Sequence, residues 1–283
     1  MTTNWKTLAV FLDETPQGAK IGAYAAELAH RCGAHLIGIH GLPDITEGNP
    51  AAAFAVGRKA IASVLAHHRA AEERESAAVG RRLAALSLQQ DVNAEFRVIP
   101  SERAEEDTIL NSLHCDLVIV GHPGPHGLPK GWSPERLLMA SGVPVLIIPD
   151  GWKATTIGSK ALVAWNGSRQ ARRAIADAMP FLSMAQCVTV LVVDADKNEH
   201  KHGEEPGADI ALYLARHGAR VDVEQATSQR SPVADVILSR AVDRGMDLIV
   251  IGAYSHPRWA EVVSGGVTRT LLTRTPIPVL VSR

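Results

Sequence analysis

The sequence predicts an α/β protein built from two tandem, open, five-stranded parallel sheets with helices on both faces. Three observations predict this fold class. First, DLVIVG at 116–121 returns as DLIVIG at 247–252, and each copy is followed by an apolar strand containing proline, GVPVLIIP at 142–149 and TPIPVLVSR at 275–283. Second, each half alternates short apolar strands with helical patterns, which is typical of βαβ crossovers in a parallel sheet. Third, the chain has 283 residues, which is about two domains of common size.

In the first half, apolar runs predict the strands, and apolar residues spaced three and four apart predict the helices. The segment from Thr15 to Cys32 places Ile21 and Leu28 on one helical face. The segment from Ala51 to Leu86 is rich in Ala, Glu and Arg and lacks proline, which favours one long helix or two consecutive ones. Strands are predicted at 7–13, 35–41, 94–99, 116–121 and 143–148. The helices between them are predicted at 15–32, 51–86, 104–113 and 135–140.

The second half repeats this order with a shorter middle. Between the halves, Pro149, Gly151 and Gly158 give the composition of a linker. The predicted domains are therefore 1–149 and 161–283, with a linker at 150–160. In the second domain, strands are predicted at 161–165, 187–194, 220–225, 247–252 and 277–282, and helices at 168–182, 209–217, 233–244 and 267–273.

Composition argues against several classes of function. The net charge is -1, so no overall field attracts nucleic acid or an anionic membrane. No apolar run reaches the roughly 18 residues of a spanning helix, and the N-terminus lacks a basic region before a long apolar run. We therefore expect a cytoplasmic protein with neither nucleic-acid nor membrane partners. Cys32, Cys115 and Cys187 form no CxxC pair, and we expect buried, reduced thiols.

The residues after the first and fourth strands of the second half are the candidates for ligand binding, because open parallel sheets bind ligands where the strand order reverses. Asn166-Gly167-Ser168 follows the first of these strands, and Gly252 ends the fourth. The run Gly265-Gly266-Val267-Thr268 then opens a helix, whose first amides and positive dipole end can hold a phosphate. Glycine lets an anion approach such amides closely. Glycines that serve only a turn are the alternative.

These features resemble the universal stress protein family in its tandem two-domain form, over essentially the whole chain. That family has an adenine nucleotide α-hydrolase-like, Rossmann-like fold. Its nucleotide-binding members carry G-x2-G-x9-G-(S/T) after the fourth strand. Here Gly252 is followed by Ser255 in place of the second glycine, then by Gly265, and then by Gly266 in place of Ser/Thr. The phrases AWNGS, IGAYSH and SGGVTRTLL also look like bacterial tandem members.

The resemblance implies a regulatory stress-response protein that binds ATP or AMP, with Mg²⁺ only alongside ATP. An acidic residue at the end of the first strand normally meets the adenine amino group. Asn166 stands there, and its carbonyl oxygen accepts a hydrogen bond without the strength of a carboxylate. Thr268 is a phosphate candidate or equally a local cap, and we expect micromolar affinity. The predicted cofactor-binding residues, including Val192 at the usual backbone contact to adenine, are Asn166, Val192, Gly252, Ser255, Gly265, Gly266, Val267 and Thr268.

The first half departs further from the motif. It keeps Asp13, Gly121 and Gly124, but Pro134 and Glu135 stand where the last glycine and hydroxyl belong. Proline offers no N–H, and a carboxylate at a helix N-terminus already satisfies the dipole. We therefore expect a structural first half and at most one ATP or AMP per chain. Adenosine or an unusual ligand at Asp13 stays open.

No catalytic residues are predicted, because the chain has no P-loop, no GxGxxG after a first strand and no convincing nucleophile-base pair. Weak ATP hydrolysis is the most that we expect. Two alternatives stay open: a scaffold that has lost nucleotide binding, which Ser255 and Gly266 favour, and an adenine-nucleotide hydrolase or adenylating enzyme. No metal site is predicted, because the histidines lack the Cys/His pattern of structural zinc. The histidine pairs considered were His122 with His126 and His200 with His202.

The last strands of the two halves are the candidates for an internal pseudo-dimer. Universal stress proteins commonly pair through their last strands. Two copies in one chain can make this pairing internally, with Val145–Ile148 beside Val279–Val281, which satisfies two sheet edges. Further homodimerisation is left open.

Overall fold

The computed structural model describes residues 4–42, 58–124, 126–154, 156–198, 204–254 and 266–283. Over these residues the chain forms ten strands, five from each repeat, with helices between them. The predicted α/β fold class is confirmed. Packing divides the chain into two compact units. The first is Lys6–Leu137, and the second is Leu138–Arg283 together with the N-terminal residues up to Trp5, whose ring packs edge-on against Phe181 at 4.8 Å.

The first unit has the strand order β3-β2-β1-β4, and its paired strands are parallel. The strand at Ala94–Ile99 and the helix at Ala104–Leu113 have the predicted bounds, whereas residues 51–57 of the predicted long helix lie outside the described residues. The elements are β1 (Thr7–Phe11), α1 (Pro16–Cys32), β2 (His35–Gly41), α2 (Arg58–Gln90), β3 (Ala94–Ile99), a 3-10 turn (Ser101–Arg103), α3 (Ala104–Leu113), β4 (Leu117–His122) and α4 (Pro134–Ser141), which ends in the second unit.

Helix α1 shows how local sequence fixes an element beside the sheet's carboxyl edge. Thr15 caps it, because its hydroxyl accepts a hydrogen bond from the Gly18 amide at 3.0 Å. Pro16 follows at the first helical position, where no N–H is needed. Gly33 ends the helix in the left-handed region at φ 60°. The helix buries Ile21 among its apolar residues, which fixes its start directly beyond β1.

The second unit has the strand order β5-β10-β9-β6-β7-β8. Its strand pairs are parallel except β5 with β10, which is antiparallel. The elements are β5 (Val145–Pro149), β6 (Lys160–Ala164), α5 (Arg169–Asp177), α6 (Met179–Leu182), β7 (Cys187–Val193), a 3-10 turn (Ala195–Asn198), α7 (Ala208–Arg216), β8 (Val221–Ala226), α8 (Val233–Asp243), β9 (Leu248–Gly252), α9 (Val267–Arg274) and β10 (Val279–Ser282).

The single helix predicted at 168–182 is wrong. The structure has two helices, α5 and the short α6, with Ala178 between them. Pro180 lies in the first turn of α6. Proline cannot donate the backbone hydrogen bond of a continuing helix and its ring clashes with the preceding turn, so the helix breaks there.

The predicted pairing of the two last strands is confirmed. Val145 lies opposite Val281, and Ile147 lies opposite Val279, in an antiparallel ladder. This ladder explains why the compact units divide before β5, whereas the predicted domains 1–149 and 161–283 follow the repeat in the sequence. The linker at 150–160 stays a prediction.

Candidate functional site

The strand order of the second unit reverses between β6 and β9. The chain runs from β6 through β7 to β8 on one side, and then returns to β9 on the other side of β6. Ala164 of β6 is in register with Ile251 of β9 and with Leu191 of β7. The carboxyl ends of the three strands therefore meet at one edge, which is the usual position of a ligand crevice in such sheets. Asn166, Val192 and Gly252 all lie at or just beyond this edge.

Asn166 has a local role that its sequence position did not reveal. Its side-chain oxygen accepts a hydrogen bond from the Ser168 amide at 3.2 Å across Gly167, which has φ 68°. Ser168 in turn caps α5, because its hydroxyl accepts from the Ala171 amide at 3.1 Å. The half-buried Asn166 side chain thus holds the turn that enters α5.

Gly252 ends β9 directly against the first turn of α5. A Cβ at this position would lie 2.2 Å from the Ala171 nitrogen and 2.3 Å from the Gln170 carbonyl carbon. Both contacts are to backbone atoms, so no side-chain rotation can relieve them. The close approach of helix and strand is therefore a sufficient reason for glycine here. Its predicted contact with phosphate stays a prediction.

The start of α9 lies beside the segment that leaves β9. The hydroxyl of Thr268, a buried side chain in the first turn, is 3.5 Å from the Tyr254 amide, which donates to it. Gly266 precedes the helix without a side-chain cap, and the first turn contains no acidic residue. Val267 opens the helix and is half-buried. Thr268 therefore links α9 to the segment that leaves β9, which differs from the helix cap considered for it in the sequence.

Two predicted residues, Ser255 and Gly265, lie outside the described residues. Val192 is fully buried inside β7 and in register with Gln225 of β8. Its backbone thus belongs to the strand ladder one residue before β7 ends.

A polar pair at this edge is not among the residues predicted from the sequence. Asp194, directly after β7, accepts hydrogen bonds from the amide and the hydroxyl of Ser228 at 2.7 and 2.6 Å. Asp194 has φ 56°. An aspartate immediately after an apolar strand is a signal that could have identified it, since Asp tolerates the left-handed region. The pair joins the segments that leave β7 and β8.

In the first unit, Asp13 is engaged by its own chain. Its carboxylate accepts hydrogen bonds from the amide and hydroxyl of Thr15 at 3.0 and 2.5 Å, and His126 Nδ1 lies 3.1 Å from Oδ2. An ionised carboxylate only accepts, so Nδ1 carries the proton. Burial raises the pKa of Asp13, but the hydrogen bonds from His126 and Thr15 and the charge of His126 outweigh it, leaving the pKa below its ordinary value.

The segment His126–Trp132 lies over the carboxyl ends of β1 and β2. Its Gly127, at φ 86°, packs so close to Leu12 that a Cβ would lie 2.1 Å from the Leu12 carbonyl oxygen. The carbonyl of Gly127 accepts a hydrogen bond from the Gly41 amide at 2.7 Å. His126, Leu128 and Trp132 are all buried. This placement supports the expectation of a structural first half.

The beginning of α4 also agrees with that expectation. The helix starts at Pro134, and Glu135 lies in its first turn. The Ser133 hydroxyl accepts a hydrogen bond from the Arg136 amide at 3.2 Å. One amide of the first turn is therefore already capped, and a carboxylate already faces the positive end of the helix dipole.

Among the residues that the structure describes, no group of three or more His, Cys, Asp and Glu side chains could hold a metal ion. His200 and His202 lie outside them. No helix in the described ranges is long and apolar enough to span a membrane. The three cysteines form no disulfide, and Cys32 and Cys115 are buried whereas Cys187 is half-buried. Burial raises the pKa of the Cys115 thiol to about 11, so this thiol is protonated at neutral pH.

The fold defines a duplicated, doubly wound α/β protein whose second unit reverses its strand order between β6 and β9. The chain belongs to the universal stress protein family, because the model of that family matches residues 4–149 and again residues 159–283. The predicted resemblance is therefore confirmed.

Individual relatives agree with this assignment. Universal stress protein Slr1230 of Synechocystis sp. is 24% identical over 153 residues, which are 54% of this chain and 51% of that protein. This chain thus spans about half the length of that relative. A universal stress protein structure from Archaeoglobus fulgidus DSM 4304 has a TM-score of 0.64 at 15% identity, covering 98% of this chain and 96% of that one. A putative universal stress protein from Pseudomonas aeruginosa UCBPP-PA14 has a TM-score of 0.58 at 16% identity, covering 98% and 93%. At such identities the two structures show a shared fold.

Proposed function

We propose that this chain is a regulatory adenine-nucleotide-binding protein of the stress response, with its site at the β6 and β9 edge of the second unit. The main support is that Asn166, Gly252 and the start of α9 at Gly266 all lie at the carboxyl ends of strands where the order reverses. Family membership supports the same proposal, since universal stress proteins include nucleotide-binding members. Its location in the cytoplasm, and weak ATP hydrolysis as the most it does, stay predictions.

The proposed ligand is one ATP or AMP, with Mg²⁺ accompanying ATP only. The adenine would meet Asn166 and the backbone near Val192, and the phosphates would meet the first amides of α9 at Gly266, Val267 and Thr268. These amides and the helix dipole favour an anion. Gly266 supplies no hydroxyl where the motif has Ser or Thr, which removes about 1 kcal/mol of hydrogen bonding. Ser255 and Gly265 complete the proposed set from the sequence motif alone.

The substitution Gly266→Asp tests the proposal without weakening the helix. Aspartate is a favoured N-cap residue, and Gly266 directly precedes the first turn of α9, so the helix should form. The new carboxylate would occupy the phosphate position and repel the ligand. We expect equilibrium dialysis with labelled ATP, ADP and AMP to show at least a tenfold loss of affinity.

Gly151→Asp is the matched control, because it adds the same charge at an exposed position where a Cβ meets nothing within 4 Å. It should retain nucleotide like the unmodified chain. Equal retention by the Gly266→Asp variant would rule out the assigned phosphate site.

A second candidate function is an interaction scaffold that has lost nucleotide binding. It is favoured by the structural roles of two motif residues, since Gly252 admits helix α5 and Asn166 holds the turn into that helix. The same dialysis separates the two functions. A scaffold would retain none of the three nucleotides in the unmodified chain.

A further inference from the structure

The first unit contains a side chain that lies where its crevice should be open. Asp13 follows β1, and Gly121 and Gly124 follow the fourth strand in the positions of the family motif. The imidazole of His126 lies among these three residues and is 6% exposed. Its Nδ1 donates to Asp13 Oδ2 at 3.1 Å and is 3.4 Å from the Thr15 hydroxyl.

The two glycines make room for this ring. A Cβ on Gly121 would lie 2.3 Å from His126 Cδ2, and a Cβ on Gly124 would lie 2.5 Å from His126 Nε2. Both distances are far below van der Waals contact, so the imidazole fits in its present position only because both residues lack a side chain. The two motif glycines of the first repeat thus leave the space that the His126 imidazole occupies.

The backbone around His126 is held in a demanding conformation. His126 itself has φ 39°, in the left-handed region that disfavours residues with a Cβ. The next residue, Gly127, is fixed by its contact with Leu12 and by the hydrogen bond from Gly41. The surrounding contacts therefore outweigh the cost of the histidine backbone and keep the ring inserted.

We infer that His126 is a built-in ligand of the first repeat: its imidazole occupies the crevice, is bound by Asp13 as an external nitrogen heterocycle would be, and excludes other ligands from that crevice. This is an autoinhibitory contact within one unit. It does not rest on nucleotide binding by the second unit, because every group involved lies between Asp13 and His126 of the first.

Chemical rescue tests the inference in the full-length chain. His126→Gly removes the ring and suits the left-handed backbone, so it leaves an imidazole-shaped cavity beside Asp13, whose Oδ2 loses the His126 hydrogen bond. We expect its Tm to fall by several degrees. Added imidazole should bind the cavity and raise that Tm saturably, restoring at least half of the loss, because a ligand that binds the folded state alone stabilises it.

The matched control is His114→Gly, at an exposed histidine that ends α3. Neither this variant nor the unmodified chain should gain stability from imidazole beyond the small change that any co-solute produces. In the double variant Asp13→Ala/His126→Gly, rescue should be lost, because imidazole would have no carboxylate to bind. A His126→Gly variant that is as stable as the unmodified chain, or that does not respond to imidazole, would overturn the inference.

Gly124→Ala provides a second route if His126→Gly does not fold. Its methyl group would displace the ring, so limited proteolysis should cleave the segment His126–Trp132 faster than in the unmodified chain. Unchanged cleavage would contradict the inference. Neither route involves nucleotide, so failure here leaves the proposed function untouched, and failure of nucleotide binding leaves the built-in ligand untouched.

Discussion

At the scale of single residues, the repeated aspartates before β4 and β9 show how a motif can be structural. Asp247 accepts hydrogen bonds from the amides of Gly158, Ser159 and Lys160 at 2.8 to 3.0 Å. Asp116 does the same for Lys6 and Thr7 at 2.6 and 2.9 Å. In each unit, the carboxylate just before the fourth strand therefore binds backbone amides at the start of the first strand. The repetition was visible in the sequence, but this role was not.

Asp247→Asn should destabilise the second unit. The amide group keeps one acceptor oxygen but loses the charge and the second acceptor, so at least one of three amides loses its partner. Hydrogen bonds to charged groups contribute about 1.5–3 kcal/mol, and we expect a loss of about 2 kcal/mol in the free energy of unfolding, measured with urea. Asp91→Asn, at an exposed left-handed position after α2 that Asn also tolerates, is the control. Equal stability of the two variants would refute the capping role.

At the scale of elements, the contact of α5 with the end of β9 fixes the geometry of the candidate site. Ala171 at the start of the helix and Gly252 at the end of the strand approach so closely that only glycine fits. The same helix is held at its start by Asn166 and Ser168. Asn166 and Gly252, which the motif assigns to nucleotide binding, thus also fix the position of α5 beside the end of β9.

Gly252→Ala should therefore lower stability whether or not nucleotide binds. Overpacking of this kind costs about 1–3 kcal/mol, because the helix or the strand must shift. Thermal or urea unfolding without ligand measures this effect. Gly151→Ala is the control, since its Cβ would meet no atom within 4 Å. A Gly252→Ala variant that unfolds like the control would show that the glycine serves only a ligand.

The sequence predicted the elements well because their signals are local. The bounds of β3 and α3 were predicted from an apolar run and from helical spacing, and neither signal depends on distant residues. The break at Ala178 was missed although Pro180 is a local signal, because the apolar pattern continues across it. The position of His126 could not be predicted, since it depends on contacts with Asp13 more than a hundred residues away.

At the scale of the whole molecule, duplication has produced two units whose fourth strands are followed by different sequences. The pairing of β5 with β10 was expected from the resemblance, because universal stress proteins commonly pair through their last strands. The sequences that follow the two fourth strands differ, since such loops are free to diverge while the sheets are kept. In the first unit, His126–Trp132 covers the carboxyl ends of β1 and β2. In the second, the start of α9 has no side-chain cap.

This difference predicts the stoichiometry of binding. Because His126 occupies the space beside Asp13 in the first unit, a nucleotide there would have to displace the segment His126–Trp132. The contacts of that segment with β1 and β2 would then be lost. At the proposed site of the second unit, Gly266 contributes no side chain to the start of α9. Isothermal titration calorimetry of the full chain with ATP or AMP should therefore give at most one site per chain, with micromolar affinity. The Gly266→Asp variant should reduce this one site strongly, whereas His126→Gly should leave it unchanged. Two equivalent sites in the unmodified chain would contradict both the exclusion by His126 and the assignment of a structural first half.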